Sequence, residues 1–384
     1  MSSKPINHAS IRTWIEVDKS AIQHNYQTIR RLIPDTCKLL AVAKSNAYGH
    51  GLFDYAKTVQ QLGADWLAVD SITEAVALRR KGIALPMLVL GYTLPARFID
   101  AARYNISLTV SNIEHLKALV RFKYSGQRIK LHLKIDTGMH RQGFFPDEMP
   151  EVAKLLKSKL PGFEVEGIYT HFAEAKDPND RAETLSQVKQ FNQAIKAIQQ
   201  AGYTPIRHAA ASAGTLNYPE AHFDLVRVGI SLMGLWPAPE TAQHYQNQGN
   251  LNLKPTLSWR SIVSEVKALP KGSKISYDFT ETLVRDSRVA ICPIGYWHGY
   301  PRSLSSVGET LVNGKRAKVL GRVTMDMIII DVTDCANVNI GNTVTLIGKD
   351  GGDEVSAYEL ANKADMSYYE LLTRINPLIK KYYR

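Results

Sequence analysis

Residues 38–51 read KLLAVAKSNAYGHG. The run 38–43 is apolar enough for a buried strand, and Lys44 closes it ahead of a small polar turn and the glycines Gly49 and Gly51. A lysine at the mouth of a buried strand keeps its stem in the core and its amine at the rim. Desolvation there lowers an amine's pKa and makes it a usable nucleophile. The plain alternative is a lysine snorkelling from a strand end to solvent. Tyr48 follows four residues on, and the two glycines let the backbone turn sharply or approach a ligand closely.

Seven further short apolar runs follow, at residues 66–69, 87–90, 106–110, 129–135, 165–170, 206–209 and 225–228. Helical patterns separate most of them. Before the first run, an opening strand over 13–17 leads into a helix that Asp18 can cap, with Ile22, Tyr26, Ile29 and Ile33 at helical spacing up to Pro34. Another helix begins at the capping box Ser71-Ile72-Thr73-Glu74 and ends at Gly82, and a third runs from about Glu183 to Gln200. Eight strands alternating with helices predict an α/β chain with a (β/α)8 TIM-like barrel. A doubly wound open sheet is the runner-up, but no GxGxxG follows the first strand. After Pro237 the texture changes. Residues 238–254 are polar and rich in glutamine and asparagine, and read as a linker. Beyond them, alternating segments broken by Asn313-Gly314, Gly321 and Gly341 predict a mostly β C-terminal domain with hairpins. The expected organisation is a barrel over 14–240, with 1–13 and 250–384 forming the β domain.

Composition narrows the function classes. The chain has 384 residues, 45% hydrophobic and 22% charged, as in ordinary globular proteins. Its net charge of +11 is scattered rather than gathered into basic runs interleaved with aromatics, which argues against nucleic-acid binding and fits attraction for small anions. Cys37, Cys292 and Cys335 lack CxxC spacing and indicate neither a disulfide framework nor a zinc or other metal site. The beginning has no apolar signal region and no stretch is long enough to span a bilayer, so a cytoplasmic protein without a membrane partner is expected.

Catalytic groups in such barrels sit at the C-terminal ends of the strands. Lys44 follows the first strand. Lys134, Asp136 and Arg141 follow the fifth, His171 closes the sixth, His208 and Ser212 follow the seventh, and Arg227 and Gly229 the eighth. Singly, each reads as a structural hydrogen-bonder; so many such groups at one rim argue for a site. Ser212, Gly229 and Ile230 lie where these barrels commonly bind phosphate. A reactive lysine with a phosphate site suits pyridoxal 5'-phosphate, and equally a class I aldolase.

The chain resembles the alanine racemase family. The likeness runs from AVAKSNAYGHG through LHLKIDTGMHRQG, YTHF, LVRVGI, SYD, PIGYWHGYPR and GRVTMDM to SYYELLTRI. It implies a pyridoxal-phosphate enzyme that interconverts L- and D-alanine for peptidoglycan, working as a homodimer on a small amino-acid substrate. By resemblance, Lys44 is the cofactor lysine and one base, and Tyr277 is the second base, entering from the partner subunit with Met325 and Asp326. Tyr48, Ser212, Gly229, Ile230 and Tyr369 would hold the phosphate. Arg227 would face the ring nitrogen, steadied by His171 and His208. A guanidinium offers no acceptor and stays charged, which leaves the ring nitrogen unprotonated and favours prompt reprotonation over transamination. Arg141 would bind the ring oxygen and the substrate carboxylate, and the backbone N–H of Met325 would bind the carboxylate too. Lys134 matches a lysine often carbamylated in the family.

Five positions depart from the family pattern. Ala211 replaces the asparagine before Ser212, Asp278 replaces the glycine after Tyr277, Trp297-His298 replaces Ala-Asp, and Lys176 stands where an acid is common. They bear on substrate preference and rate. A racemase of serine or of broader specificity is therefore an alternative. A basic-amino-acid decarboxylase would place an acid where Arg227 stands. A non-catalytic pyridoxal-phosphate-binding protein would resemble the barrel alone and lack the domain that carries Tyr277 and Met325.

Overall fold

The computed structural model describes residues 10–122, 128–159, 163–249 and 251–384. Contacts divide the described residues into two compact units, one within 20–47 and 52–255, the other within 10–19, 48–51 and 256–384. Of the expected β domain, residues 1–9 and 250 lie outside the described residues.

The first unit is the expected barrel. Its strands are Lys38–Val42 (β1), Trp66–Val69 (β2), Met87–Val89 (β3), Ser107–Val110 (β4), Ile129–Lys134 (β5), Phe163–Tyr169 (β6), Ile206–His208 (β7) and Leu225–Val228 (β8). All pair in parallel, in sequence from β7 back to β1, and β1 then pairs with β8. The remaining seam, between β7 and β8, is bridged by backbone bonds from Asp224 N to Arg207 O (3.0 Å) and from Arg227 N to Ala210 O (2.9 Å). β2, β3 and β4 are buried at every position, the uninterrupted burial that parallel strands require.

The helices follow their start and stop signals. Lys19–Leu32 buries Ile22, Tyr26 and Ile29 and ends before Pro34. Ser71 caps Ile72–Arg80 in a reciprocal capping box with Glu74, and Gly82 leaves that helix with φ +84°. Residues 238–254 are corrected from a linker: Pro239–Gln248 is a helix, opened by Pro239 and closed by left-handed Gly249. Thr241 is its one buried residue, so no apolar stripe marked it in the sequence.

In the second unit the opening strand Thr13–Val17, expected at the head of the barrel segment, lies in the β sheet. It pairs antiparallel with Leu257–Ile262 and parallel with Lys380–Tyr383. Thr343–Asp350, Glu309–Val312 and Lys315–Lys318 extend this sheet. Asn313 (φ 50°) and Gly314 (φ 75°) make the tight turn of the expected hairpin between the last two. A second sheet joins Glu265–Leu269, Ser287–Cys292 and Ile328–Asp331. Among the described residues, no helix is long and apolar enough to cross a membrane.

Residues 48–51 belong with this β unit. Gly49 has φ +86°, and a Cβ there would meet Leu372 O at 2.3 Å. Gly49→Ala is expected to lower stability by about 2–4 kcal/mol, from left-handed backbone plus overpacking. Thermal denaturation of the two proteins would check it, and an unchanged Tm would contradict it.

Candidate active site

β1 ends and Lys44 opens a turn of unusual hand. Ser45, Asn46, Ala47 and Tyr48 have φ of 55°, 56°, 50° and 52°, four consecutive left-handed residues without a glycine. Such backbone costs on the order of 1–2 kcal/mol per residue, so surrounding groups must hold it. Ser45 N donates to Glu74 Oε1 (3.0 Å), Ala47 N to Ala43 O (2.9 Å), and Asn46 Oδ1 accepts from Leu52 N (2.9 Å). Nothing in the letters SNAY signals this turn.

Arg227, on β8, is buried and held by four hydrogen bonds. Its Nη2 donates to Thr170 O (2.7 Å), Ala209 O (2.8 Å) and His171 Nδ1 (3.3 Å), and its Nη1 to His208 Nδ1 (3.0 Å). No carboxylate among the described residues pairs with it, and burial brings its pKa down to about 10. Lys134, at the end of β5, lies 5.0 Å from the centre of the Tyr169 ring, and Arg227 lies 5.1 Å from it. Burial and the charge of Arg227 hold the Lys134 amine well below the ordinary lysine range, with Arg141 adding to the effect and Asp136 opposing it. His171 and His208 are likewise held well below the usual histidine value by burial and then by Arg227. The Asp136 carboxylate is already engaged, accepting from the amides of Gly138 and His140 at 3.0 Å each.

Beyond the end of β8, Ser212 Oγ accepts from Gly229 N (3.2 Å) and Ser231 N (3.4 Å), and the hydroxyl of Ser231 is buried without a partner. Ile230 is buried between them in sequence. Ala211 sits at the cap of helix Ser212–Asn217 and provides no side-chain cap, where an asparagine would. Lys176 is exposed, and its carbonyl accepts from Thr241 and from Asn217 Nδ2 (3.2 Å).

The other expected residues lie in the β unit. Tyr48 and Tyr369 adjoin, with ring centres 6.3 Å apart, and burial raises the pKa of both. Tyr277 is 70% exposed and Met325 55%. Ser276 (φ 64°) and Asp278 (φ 60°) flank Tyr277 in left-handed backbone, so Asp278 occupies a conformation that glycine adopts freely and that aspartate tolerates better than most. His298 is buried and Trp297 exposed. Tyr296 N donates to Thr324 O and Trp297 N to Met325 O, both at 3.0 Å, tying this departure to the Met325-Asp326 segment. Burial lowers the pKa of His298, while the charge of Asp326 works against that.

Sequence reading missed the buried groups behind Arg227. His132 Nδ1 lies 2.8 Å from His208 Nε2, and His132 Nε2 lies 3.2 Å from Glu166 Oε2. Burial raises the Glu166 pKa, but His132, Ser107 and Lys130 outweigh it and bring it down to about 2. An acid and a histidine inside two apolar barrel strands, LHLK and VEGIY, were the available signal.

These residues fit an anionic, phosphate-bearing group. Buried cations without carboxylates are costly unless an anion joins them, and backbone amides beside a serine and an orphaned hydroxyl are phosphate donors. The alanine racemase N-terminal domain model matches residues 17–237 and the C-terminal domain model 256–383. The chain is 39% identical to an alanine racemase of Methanococcus maripaludis, over 96% of this chain and 98% of that one. It is 40% identical to an alanine racemase of Symbiobacterium thermophilum, over 97% of each. The solved alanine racemase of Bacillus anthracis with bound L-Ala-P superposes with a TM-score of 0.91 at 35% identity, covering 97% of this chain and 95% of that one. Both domain models and these relatives agree, and the chain belongs to the alanine racemase family.

Proposed function

We propose that this chain interconverts L- and D-alanine as a pyridoxal-phosphate enzyme, with Lys44 and Tyr277 as bases on opposite faces of the substrate. Family membership carries the racemase activity and the cofactor. The observation that carries the residue roles is Arg227, buried and hydrogen-bonded wholly to neutral acceptors, where a decarboxylase would need an acid.

Bound pyridoxal phosphate supplies an electron sink that acidifies the Cα–H of the substrate. Ser212, Gly229 and Ile230, with Tyr48 and Tyr369, hold its phosphate. Arg227 donates to the ring nitrogen and cannot itself be a proton acceptor. His171 and His208, kept neutral, orient Arg227. Lys44 Nζ takes or returns the Cα proton on one face and Tyr277 Oη does so on the other. Arg141 and the Met325 amide bind the substrate carboxylate, with Asp326 positioning that segment. The Lys134 amine, its pKa held low by burial and by Arg227, is suited to carbamylation, which would set an anion beside Arg141.

Tyr277, Phe279, Val284, Trp297, Met325 and Met327 are all exposed on the β unit. So many large apolar side chains left uncovered favour a second copy of the chain as their partner, and with it a homodimer whose sites are shared. We place the enzyme in the cytoplasm, in keeping with three buried, free cysteines.

By the resemblance, Tyr277 and Met325 crowd the space of the substrate side chain and are expected to admit a methyl group and little more. A small pocket discriminates against an added hydroxyl by only about 1–3 kcal/mol, so serine is expected to react slowly but measurably. Lysine and arginine are excluded by bulk. Chiral analysis of a panel of L-amino acids would test this. A kcat/KM for lysine or arginine equal to that for alanine would replace the reading with broad specificity.

A further inference from the structure

Arg227 is the end of a buried chain of hydrogen bonds that crosses the barrel interior. Arg227 Nη1 lies 3.0 Å from His208 Nδ1, His208 Nε2 lies 2.8 Å from His132 Nδ1, and His132 Nε2 lies 3.2 Å from Glu166 Oε2. Lys130 Nζ is 3.2 Å from Glu166 Oε1, and Ser107 Oγ donates to Glu166 Oε2. Both histidines are fully buried.

The two ends fix every proton between them. A guanidinium only donates, so His208 Nδ1 must accept and Nε2 must carry the hydrogen. His132 Nδ1 must then accept, and its Nε2 carries the hydrogen that Glu166 receives. A carboxylate only accepts, so the far end demands the same direction independently. The fold makes room for this arrangement. The pairing of β5 with β6 slips between Leu131↔Val165 and His132↔Gly167, leaving Glu166 as the extra residue of a bulge. A Cβ on Gly167 would lie 2.2 Å from His132 Nδ1, so only glycine lets the imidazole lie there.

We infer that Glu166 is a positioning residue for the racemase. Through His132 it sets the tautomer of His208 and so keeps a lone pair, rather than an N–H, facing Arg227. This rests on the reading of Arg227 as the partner of the ring nitrogen. Lys130 is what makes the carboxylate necessary. A glutamine at 166 would turn its carbonyl toward the Lys130 ammonium and its NH2 toward His132 Nε2. Both tautomers would then reverse, and His208 would set an N–H against the guanidinium. Removing the ammonium frees the glutamine to rotate and accept from His132 as the carboxylate does.

The experiment is long-range 1H–15N NMR of the cofactor-loaded protein labelled with 15N-histidine, alongside alanine kinetics. Wild type should show the hydrogen on Nε2 of both His208 and His132. Glu166→Gln should reverse both and lower kcat by about tenfold with KM changed less than about twofold. The double variant Lys130→Met/Glu166→Gln should restore the tautomers and most of kcat, a rescue that a purely structural role for Glu166 would not produce. A wild-type His208 with its hydrogen on Nδ1 would overturn the inference. So would a Glu166→Gln protein with unchanged tautomers, or a double variant without rescue. Should Glu166→Gln fail to fold, the wild-type tautomers decide. Correct tautomers in a protein that does not racemise alanine would sink the functional reading and leave the hydrogen-bond chain standing.

Discussion

Lys44→Ala is expected to lower alanine racemisation by more than about 10³-fold, because one amine both anchors the cofactor and exchanges a proton with Cα. Lys44 is half-buried at the end of β1, and the left-handed turn after it is pinned by Glu74, Asn46 and Ala43. That pinning fixes where the amine leaves the strand. Borohydride treatment of the yellow wild-type protein should fix the cofactor to the peptide containing Lys44 and to no other. Labelling of a different lysine, or an active Lys44→Ala protein, would overturn the assignment.

Tyr277→Phe is the second large effect, expected to cost about 10²–10⁴ in kcat, the range of a lost acid–base group. The cofactor spectrum should persist, since no phosphate or ring contact is assigned to this side chain. Left-handed Ser276 and Asp278 present Tyr277 on an exposed turn, and phenylalanine can occupy the same backbone. Loss of cofactor in the variant, or retention of full activity, would contradict the role.

Much of this was legible because parallel barrel strands are short, mostly apolar runs, and each ends where its chemistry begins. Lys44, Lys134, His171 and His208 announced themselves as polar residues at the ends of such runs, and Arg227 as a charge one residue short of the end of its own. What escaped had little local signature. Thr13–Val17 looks like any buried strand, and its partners lie far along the chain, as in Trp14↔Arg260. The helix Pro239–Gln248 has only Thr241 buried, so only Pro239 and Gly249 hinted at it. The left-handed turn at 45–48 is enforced by Glu74 and other neighbours rather than by glycine. His132 and Glu166 meet because of a bulge, and no periodicity reveals a slip of register.

Mixing Lys44→Ala subunits with Tyr277→Phe subunits tests the central claim, a two-base site shared between chains, most directly. Each mixed dimer would hold one site with both bases intact and one with neither. After random exchange at equal amounts, half the dimers are mixed, and about a quarter of wild-type alanine racemisation should return. Activity that stays at the level of the separate variants, with subunit exchange demonstrated independently, would contradict it.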